Sequence, residues 1–310
     1  MNRLAHSRPG FIRAMQISQH RLWVLVEGPR DRPFYANICN RNHEARRASY
    51  EIALARELPG FTGGNGKDAL LALYRDLGTA GHLRTVLHGK VTAVLFVLDK
   101  DIDDLENRTE QSEHVLYTQY LCVENYLFRF GDLVQSLAAA ASLDTASVMA
   151  RVGANSIQWT ARAAEHWRPW VEYCLLVRLC KIRECRNFGC DSSCFHSTAY
   201  SPLDTARQHH HLNRAQQRAG MQGPHFVEAQ RRAAQCAGSF YSNDQHDAIF
   251  NGKWYGKFLA EDASIAAGGR QYHQRELPER VCECLLTTLD FSQTWTEHFH
   301  QGISRLAAGL

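Results

Sequence analysis

No apolar run in the 310 residues approaches the roughly 18 that a bilayer span requires. The opening stretch, MNRLAHSRPGFIRAMQISQHR, holds no acid and no apolar centre of the kind found in a secretory signal, so it reads as an exposed lead-in. Ten cysteines are too sparse for a disulfide scaffold in a chain of this length. Without a secretory signal they read as reduced thiols of a cytoplasmic protein. A true P-loop is also missing. GFTGGNGKDALL looks like one, but Phe61 stands where the first glycine is needed and Asp68 where Ser or Thr would meet Mg²⁺. The chain therefore carries no ATPase of its own. Internal repeats are absent too.

What is present is the composition of a globular protein, with 45% hydrophobic and 22% charged residues. LWVLVEG (22–28) reads as a fully buried strand closed by a Gly-Pro turn. DRPFYANICNR (31–41) reads as a helix with Asp31 as its N-cap and Pro33 in its first turn. SYEIALA (49–55) is a second strand, and LPGFTGGNGK (58–67) a glycine-rich loop. DALLALYRDLG (68–78) is a helix capped by Asp68 and stopped by Gly78. VTAVLFVLD (91–99) is the strongest strand, and HVLYTQYLCVENYLF (114–128) holds one or two strands running into a helix near Glu124. Alternating strands and helices predict an α/β fold with a parallel sheet, whose chemistry lies at the carboxyl ends of its strands. Glu27 and Asp99 fall there. Past residue 130 the signals are mostly helical, and TARQHHHLNRAQQRAG is polar enough to read as a mobile linker.

The net charge of +3 is unevenly spread. From Arg151 to Phe240 there are 12 Arg or Lys against 6 Asp or Glu. A basic middle beside acidic flanks suits a polyanionic partner, although a solvated helical surface accounts for it equally well. Arg178, Lys181, Arg183 and Arg186 recur at spacings that put several on one helix side, where they would track a phosphate backbone. Trp159, Trp167 and Trp170 stand nearby as candidate stacking platforms or, more simply, as core. Cys185, Cys190, Cys194 and His196 offer zinc-ligand chemistry at an irregular spacing, which leaves zinc binding open.

The acidic run FVLDKDIDD (96–104) bears most directly on function. If the segment stays extended, Asp99, Asp101 and Asp103 share one face, and Glu27 joins them when the first and third strands are neighbours. Two such charges about 4 Å apart repel by about 4 kcal/mol at an effective dielectric near 20. Cations that fill the gap relieve this, and all-oxygen ligands suit Mg²⁺ or Mn²⁺.

VLVEGPRDRPFY followed by VLFVLDKDIDD resembles the Toprim domain, the Mg²⁺-dependent fold shared by topoisomerases, primases and OLD-type nucleases. The Glu27/Asp31 spacing is similar to the OLD-type version. The downstream YTQYLCVENYLF, with GGNGKDALLALY and NGKWYGKFL, resembles the stand-alone Toprim effectors of PARIS anti-phage systems. The resemblance implies a Toprim-like parallel sheet flanked by helices over 18–130, a helical insertion or companion region over 131–240, and a C-terminal segment, 241–310, completing the core. It implies a metal-dependent endonuclease, with Glu27 as metal ligand or general base. Asp31, Asp99, Asp101, Asp103 and Glu124 would be further ligands of two Mg²⁺ or Mn²⁺ ions, and Lys253 would steady charge on the phosphate under attack. It also implies an RNA substrate, with tRNA as the candidate, a separate ABC-type ATPase partner, and a homodimer with no membrane association. An OLD-like DNA nuclease, a non-catalytic binding module for nucleic acid or the ATPase, and, more distantly, a primase-like polymerase are the competing expectations.

Overall fold

The computed structural model describes residues 7–58, 66–273 and 276–310. The glycine-rich segment expected at 58–67 falls mostly outside them. In chain order the elements are α1 (Arg8–Ile17), β1 (Leu22–Val26), α2 (Asp31–Arg41), α3 (His43–Ala48), β2 (Tyr50–Leu54), α4 (Gly66–Thr79), β3 (Arg84–Leu87), β4 (Lys90–Leu98) and β5 (Val115–Tyr117). Then follow α5 (Val123–Phe130), α6 (Leu133–Ala141), α7 (Thr145–Val152), α8 (Ser156–His166), α9 (Arg168–Leu179), α10 (Thr205–Ala219), α11 (Gly223–Ser242), α12 (Tyr255–Ala266), α13 (Glu276–Thr288) and α14 (Glu297–Ala307). Two compact units share the chain. A sheet unit comprises 1–100, 109–119 and 290–310, and a helical unit comprises 101–108 and 120–289.

In the sheet unit, β1 pairs in parallel with β2 on one side and β4 on the other. The long β4 carries two partners on its far side: β5 in parallel along its carboxyl half and β3 antiparallel along its amino half. The α/β architecture is the expected one, and β3 is an addition. Its hairpin to β4 turns through His88 and Gly89, both at positive φ, the backbone of a two-residue turn that follows strand twist. The strands β1 and β4 are apolar nearly throughout because both faces are covered.

One face of the sheet packs on α4 and α1. The lead-in is therefore not simply exposed: α1 is capped by Ser7 and sinks Phe11 and Met15 into the cluster around Leu25, Phe96 and Leu73. The other face carries α2, α3 and the returning C-terminal α14. Phe34 meets Phe291, Trp295 and Phe299 within 6 Å, centroid to centroid. Asn42 Nδ2 donates to His300 O and Ser304 Oγ. A Cβ at Gly302 would stand 2.6 Å from Leu116 Cδ1, so a larger residue there would make that leucine side chain shift.

Two helix boundaries shift. Asp31 is the first residue of α2 rather than its N-cap, which is Arg30. Gly78 does not stop α4, which begins at Gly66 and runs on to Thr79.

The helical unit is organised around buried carboxylates. Asp247, fully buried, accepts from Asn125 Nδ2 (2.9 Å), Arg129 Nη1 (2.9 Å) and Tyr255 OH (2.8 Å). Burial opposes the Arg129 charge, but Asp247 and Asp244 overrule it and hold the guanidinium pKa above its ordinary value. Asp262 accepts from Trp159 Nε1, Tyr200 OH and Arg151 Nη2. Trp159, Trp167 and Trp170 are all buried, so they are core and not stacking platforms. The expected mobile linker is the helix α10, capped by Asp204 and closed by Gly220 in the left-handed region. Composition misled there because α10 buries a single residue, Ala215.

The aromatic clamp at Phe34 yields a direct stability test. Phe34→Ala is expected to cost about 3–5 kcal/mol. The loss would appear as a lower urea midpoint at unchanged slope. A loss below about 1 kcal/mol would mean that α14 does not hold α2 to the sheet.

Candidate active site

The carboxyl end of β4 is tied down from three directions within the sheet unit. Glu27, one residue past β1, accepts the Asp99 N–H with Oε1 at 2.8 Å. Thr118, one residue past β5, accepts the Lys100 N–H at 2.7 Å, and its own N–H donates to Leu98 O. Lys67, in the first turn of α4, donates from Nζ to Asp99 O at 2.5 Å and reaches Lys100 O at 3.4 Å. The backbone groups of this turn are thus accounted for, as a partly buried turn requires.

Two glycines frame the approach. A Cβ on Gly66 would stand 3.1 Å from Glu27 O, so α4 starts hard against the Glu27 backbone. Gly28 donates its N–H to Asp31 Oδ2 at 2.7 Å while Asp31 N donates to Gly28 O, which closes the Glu-Gly-Pro turn into α2. Asp31 accordingly shapes the turn that presents Glu27, in addition to any contact it makes with an ion.

The Glu27 carboxylate therefore meets the Asp99 backbone at the end of the adjacent parallel strand, and Asp31 lies in the turn that follows Glu27. Asp101 and Asp103 belong to the helical unit's segment 101–108. The expected extended run through Asp99, Asp101 and Asp103 is not formed. Residues 101–107 make turns, Asp101 has φ +53°, and Asp103 is buried with its carbonyl accepting Arg108 N–H. Alternation along a strand therefore stops at Asp99.

The helical unit joins the other two motifs. Glu124 is buried in the first turn of α5, at 6% exposure. Asn125 donates to Asp247 and to Phe250 O, and Cys122 N donates to Asn125 Oδ1. Gly252 abuts this turn so closely that a Cβ would stand 2.6 Å from Asn125 N and 2.9 Å from Glu124 Cβ. The Asn-Gly-Lys segment is thus fastened onto Glu-Asn-Tyr-Leu. Lys253 itself is exposed in a single 3₁₀ turn, with its N–H accepted by Asn251 Oδ1.

The four basic residues do not share a helix side. Arg178 is in α9 and grips Glu106 through Nε (3.0 Å) and Nη2 (2.7 Å), which removes it from the surface set. Lys181, Arg183 and Arg186 follow the end of α9 and are exposed in the turns after it. Zinc finds no support at the cysteines. Cys194 Sγ accepts from Arg186 Nη1 at 3.0 Å, and His196 Nδ1 lies 2.8 Å from Ser201 O. Among the described residues, no three His, Cys, Asp or Glu side chains form a group able to hold a metal ion.

Lys67, at 4% exposure, is the functional candidate that sequence reasoning passed over. Its signal was present in the Gly-Lys at the head of a helix. That dipeptide was weighed only against a phosphate loop, and nothing local tells that the lysine reaches a strand end. Models of known protein families match no part of this chain, and no curated protein matches it either.

Lys67→Met keeps the aliphatic stem and deletes the charge-assisted bonds to Asp99 and Lys100. It is expected to cost about 1.5–3 kcal/mol in urea unfolding. An unchanged midpoint would mean that the strand end is held without the ammonium.

Proposed function

We propose that this protein is a metal-dependent nuclease that cleaves phosphodiester bonds, with RNA as the favoured substrate, at the strand ends carrying Glu27 and Asp99. The observation that carries this reading is the 2.8 Å bond between Glu27 Oε1 and Asp99 N, which puts two acids at one edge of a parallel sheet. Ligand sites of such sheets lie outside the carboxyl ends of the strands.

The donor set is all carboxylate oxygen, the chemistry of a hard divalent cation. Mg²⁺ is commonly held by one or two carboxylates and completes its shell with water and substrate phosphate. Glu27 and Asp99 are the two carboxylates that would serve that mode. When bound, such an ion lowers the pKa of water and offsets charge on the phosphate. The chain's own part is to hold the acids at a fixed separation. Lys67 and Thr118 pin the turn beyond β4, and the Gly28–Asp31 turn fixes the backbone that follows Glu27. The resemblance to PARIS effectors motivates a role in anti-phage defence under an ATPase partner. RNA is preferred on the same ground, with DNA as the comparison arm.

The decisive experiment incubates purified protein with tRNA, duplex DNA and single-stranded DNA in Mg²⁺, Mn²⁺ or EDTA. Cleavage is expected with either metal and none in EDTA. Glu27→Gln and Asp99→Asn should each reduce it about 100-fold or more in a protein that still folds, since the Gln oxygen can still accept the Asp99 N–H. Cleavage that persists in EDTA, or a Glu27→Gln protein as active as the parent, would overturn the reading. Nucleic-acid binding without cleavage, even with a cognate ATPase present, would favour a binding module.

A further inference from the structure

The helix α10 carries no acidic residue between Thr205 and Ala219, while holding three arginines and three histidines. At about 100° per residue, Arg207, Arg214 and Arg218 fall within about 40° of one another on its circumference. His211 and Ala215 anchor that face. The His211 ring packs on Tyr173 and Phe195, and Ala215 is fully buried. The three arginines flank this seam and stay exposed.

The turn after α9 lies along the same face. Arg214 Nη2 donates to Glu184 O, Arg218 pairs with the Glu184 carboxylate, and Arg207 Nη1 reaches Ser193 O. Lys181, Arg183 and Arg186 project from this turn, all exposed. Among the described residues, no ion pair or hydrogen bond engages the side chain of Lys181 or Arg183. Six basic side chains thus gather around three carboxylates, Glu184, Asp191 and Asp204, each already paired. The positive potential registers on the helix itself. Burial, then the charges of His210, Arg186 and Arg214, hold His211 below the usual imidazole range. Exposed ion pairs of this kind are weak and exchange readily for another anion.

We propose that this face of α10, with the turn 181–187, is the surface on which the phosphate backbone of a nucleic acid docks. Charge complementarity selects the occupant. Guanidinium groups spaced along about 16 Å of helix, from Arg207 to Arg218, match a chain of phosphates better than a single anion. The inference deepens the nuclease reading and rests on it for the identity of the ligand.

The test uses full-length protein carrying Glu27→Gln, so that bound substrate survives. Fluorescein-labelled single-stranded RNA, single-stranded DNA and duplex DNA are titrated over a range of salt. The combined Arg207→Gln, Arg214→Gln and Arg218→Gln variant should bind at least 10-fold more weakly. Its plot of log affinity against log salt should flatten by about 2–3. Lys181→Gln with Arg183→Gln should act in the same direction without touching α10 packing, which keeps the result readable if the first variant is destabilised. Arg231→Gln with Arg232→Gln, on α11, should change neither quantity. Parent-like affinity and slope in both patch variants, an equal loss in the α11 control, or no binding by the parent would overturn the proposal. Cleavage unaffected by the same patch substitutions made in protein that keeps Glu27 would sink this inference while leaving the nuclease standing. Patch-dependent binding without metal-dependent cleavage would do the reverse.

Discussion

The sheet unit depends on how the carboxyl end of β4 is closed. A buried strand that stops must hand its last N–H and C=O groups to new partners. Here Glu27 takes the Asp99 N–H, Thr118 takes the Lys100 N–H, and Lys67 takes the Asp99 carbonyl. Each partner comes from a different neighbour: the end of β1, the end of β5 and the head of α4. One small turn therefore ties together a helix and three strands. It also leaves an acid, Asp99, in a fixed place beside a second acid whose own backbone is pressed by Gly66. Candidate chemistry and local stability share the same bonds, so any change to the acids must be judged against both.

The helical unit uses a different device. Its interior is aromatic, and two buried carboxylates gather the polar ends of those aromatics. Asp247 collects Tyr255, Arg129 and Asn125, and Asp262 collects Trp159, Tyr200 and Arg151. Burial followed by the neighbouring Asp247 charge drives the Tyr255 hydroxyl far above its ordinary pKa, so it stays protonated and donates. Networks of this kind are favourable only when every member is satisfied. Asn125, between Glu124 and the Gly252 segment, uses both its oxygen and its nitrogen, whereas the buried Nε atoms of Arg129 and Arg151 find no partner among the described residues.

Much of the sheet unit was legible in the sequence because its strands are covered on both faces. A continuous apolar run such as VLFVL leaves little ambiguity once a Gly-Pro or Asp-rich turn bounds it. β3 was not legible, since Arg84–Leu87 is short, alternates weakly and turns through His-Gly in place of Asn-Gly. The acids at Glu27 and Asp99 were legible for the same reason as their strands. Lys67 was not, because its partners are main-chain carbonyls more than 30 residues away. In α10, polarity was mistaken for disorder. A helix that buries one alanine and rests one imidazole on its neighbours is strongly polar overall, and its Asp204 cap and Gly220 stop were the better signals.

By itself the sequence determined the strands β1, β2 and β4, which acids follow β1 and β4, and where the charge is basic, since these follow from local pattern and covalent order. Only the tertiary structure decided that Glu27 caps the Asp99 backbone and that Arg178 is consumed by Glu106. It alone showed that three arginines once assigned to a linker share one helix face with a basic turn. The physical reason is common to all three. A side chain's reach is set by its partners in space, and an arginine spent on a carboxylate and one open to solvent are spelled alike.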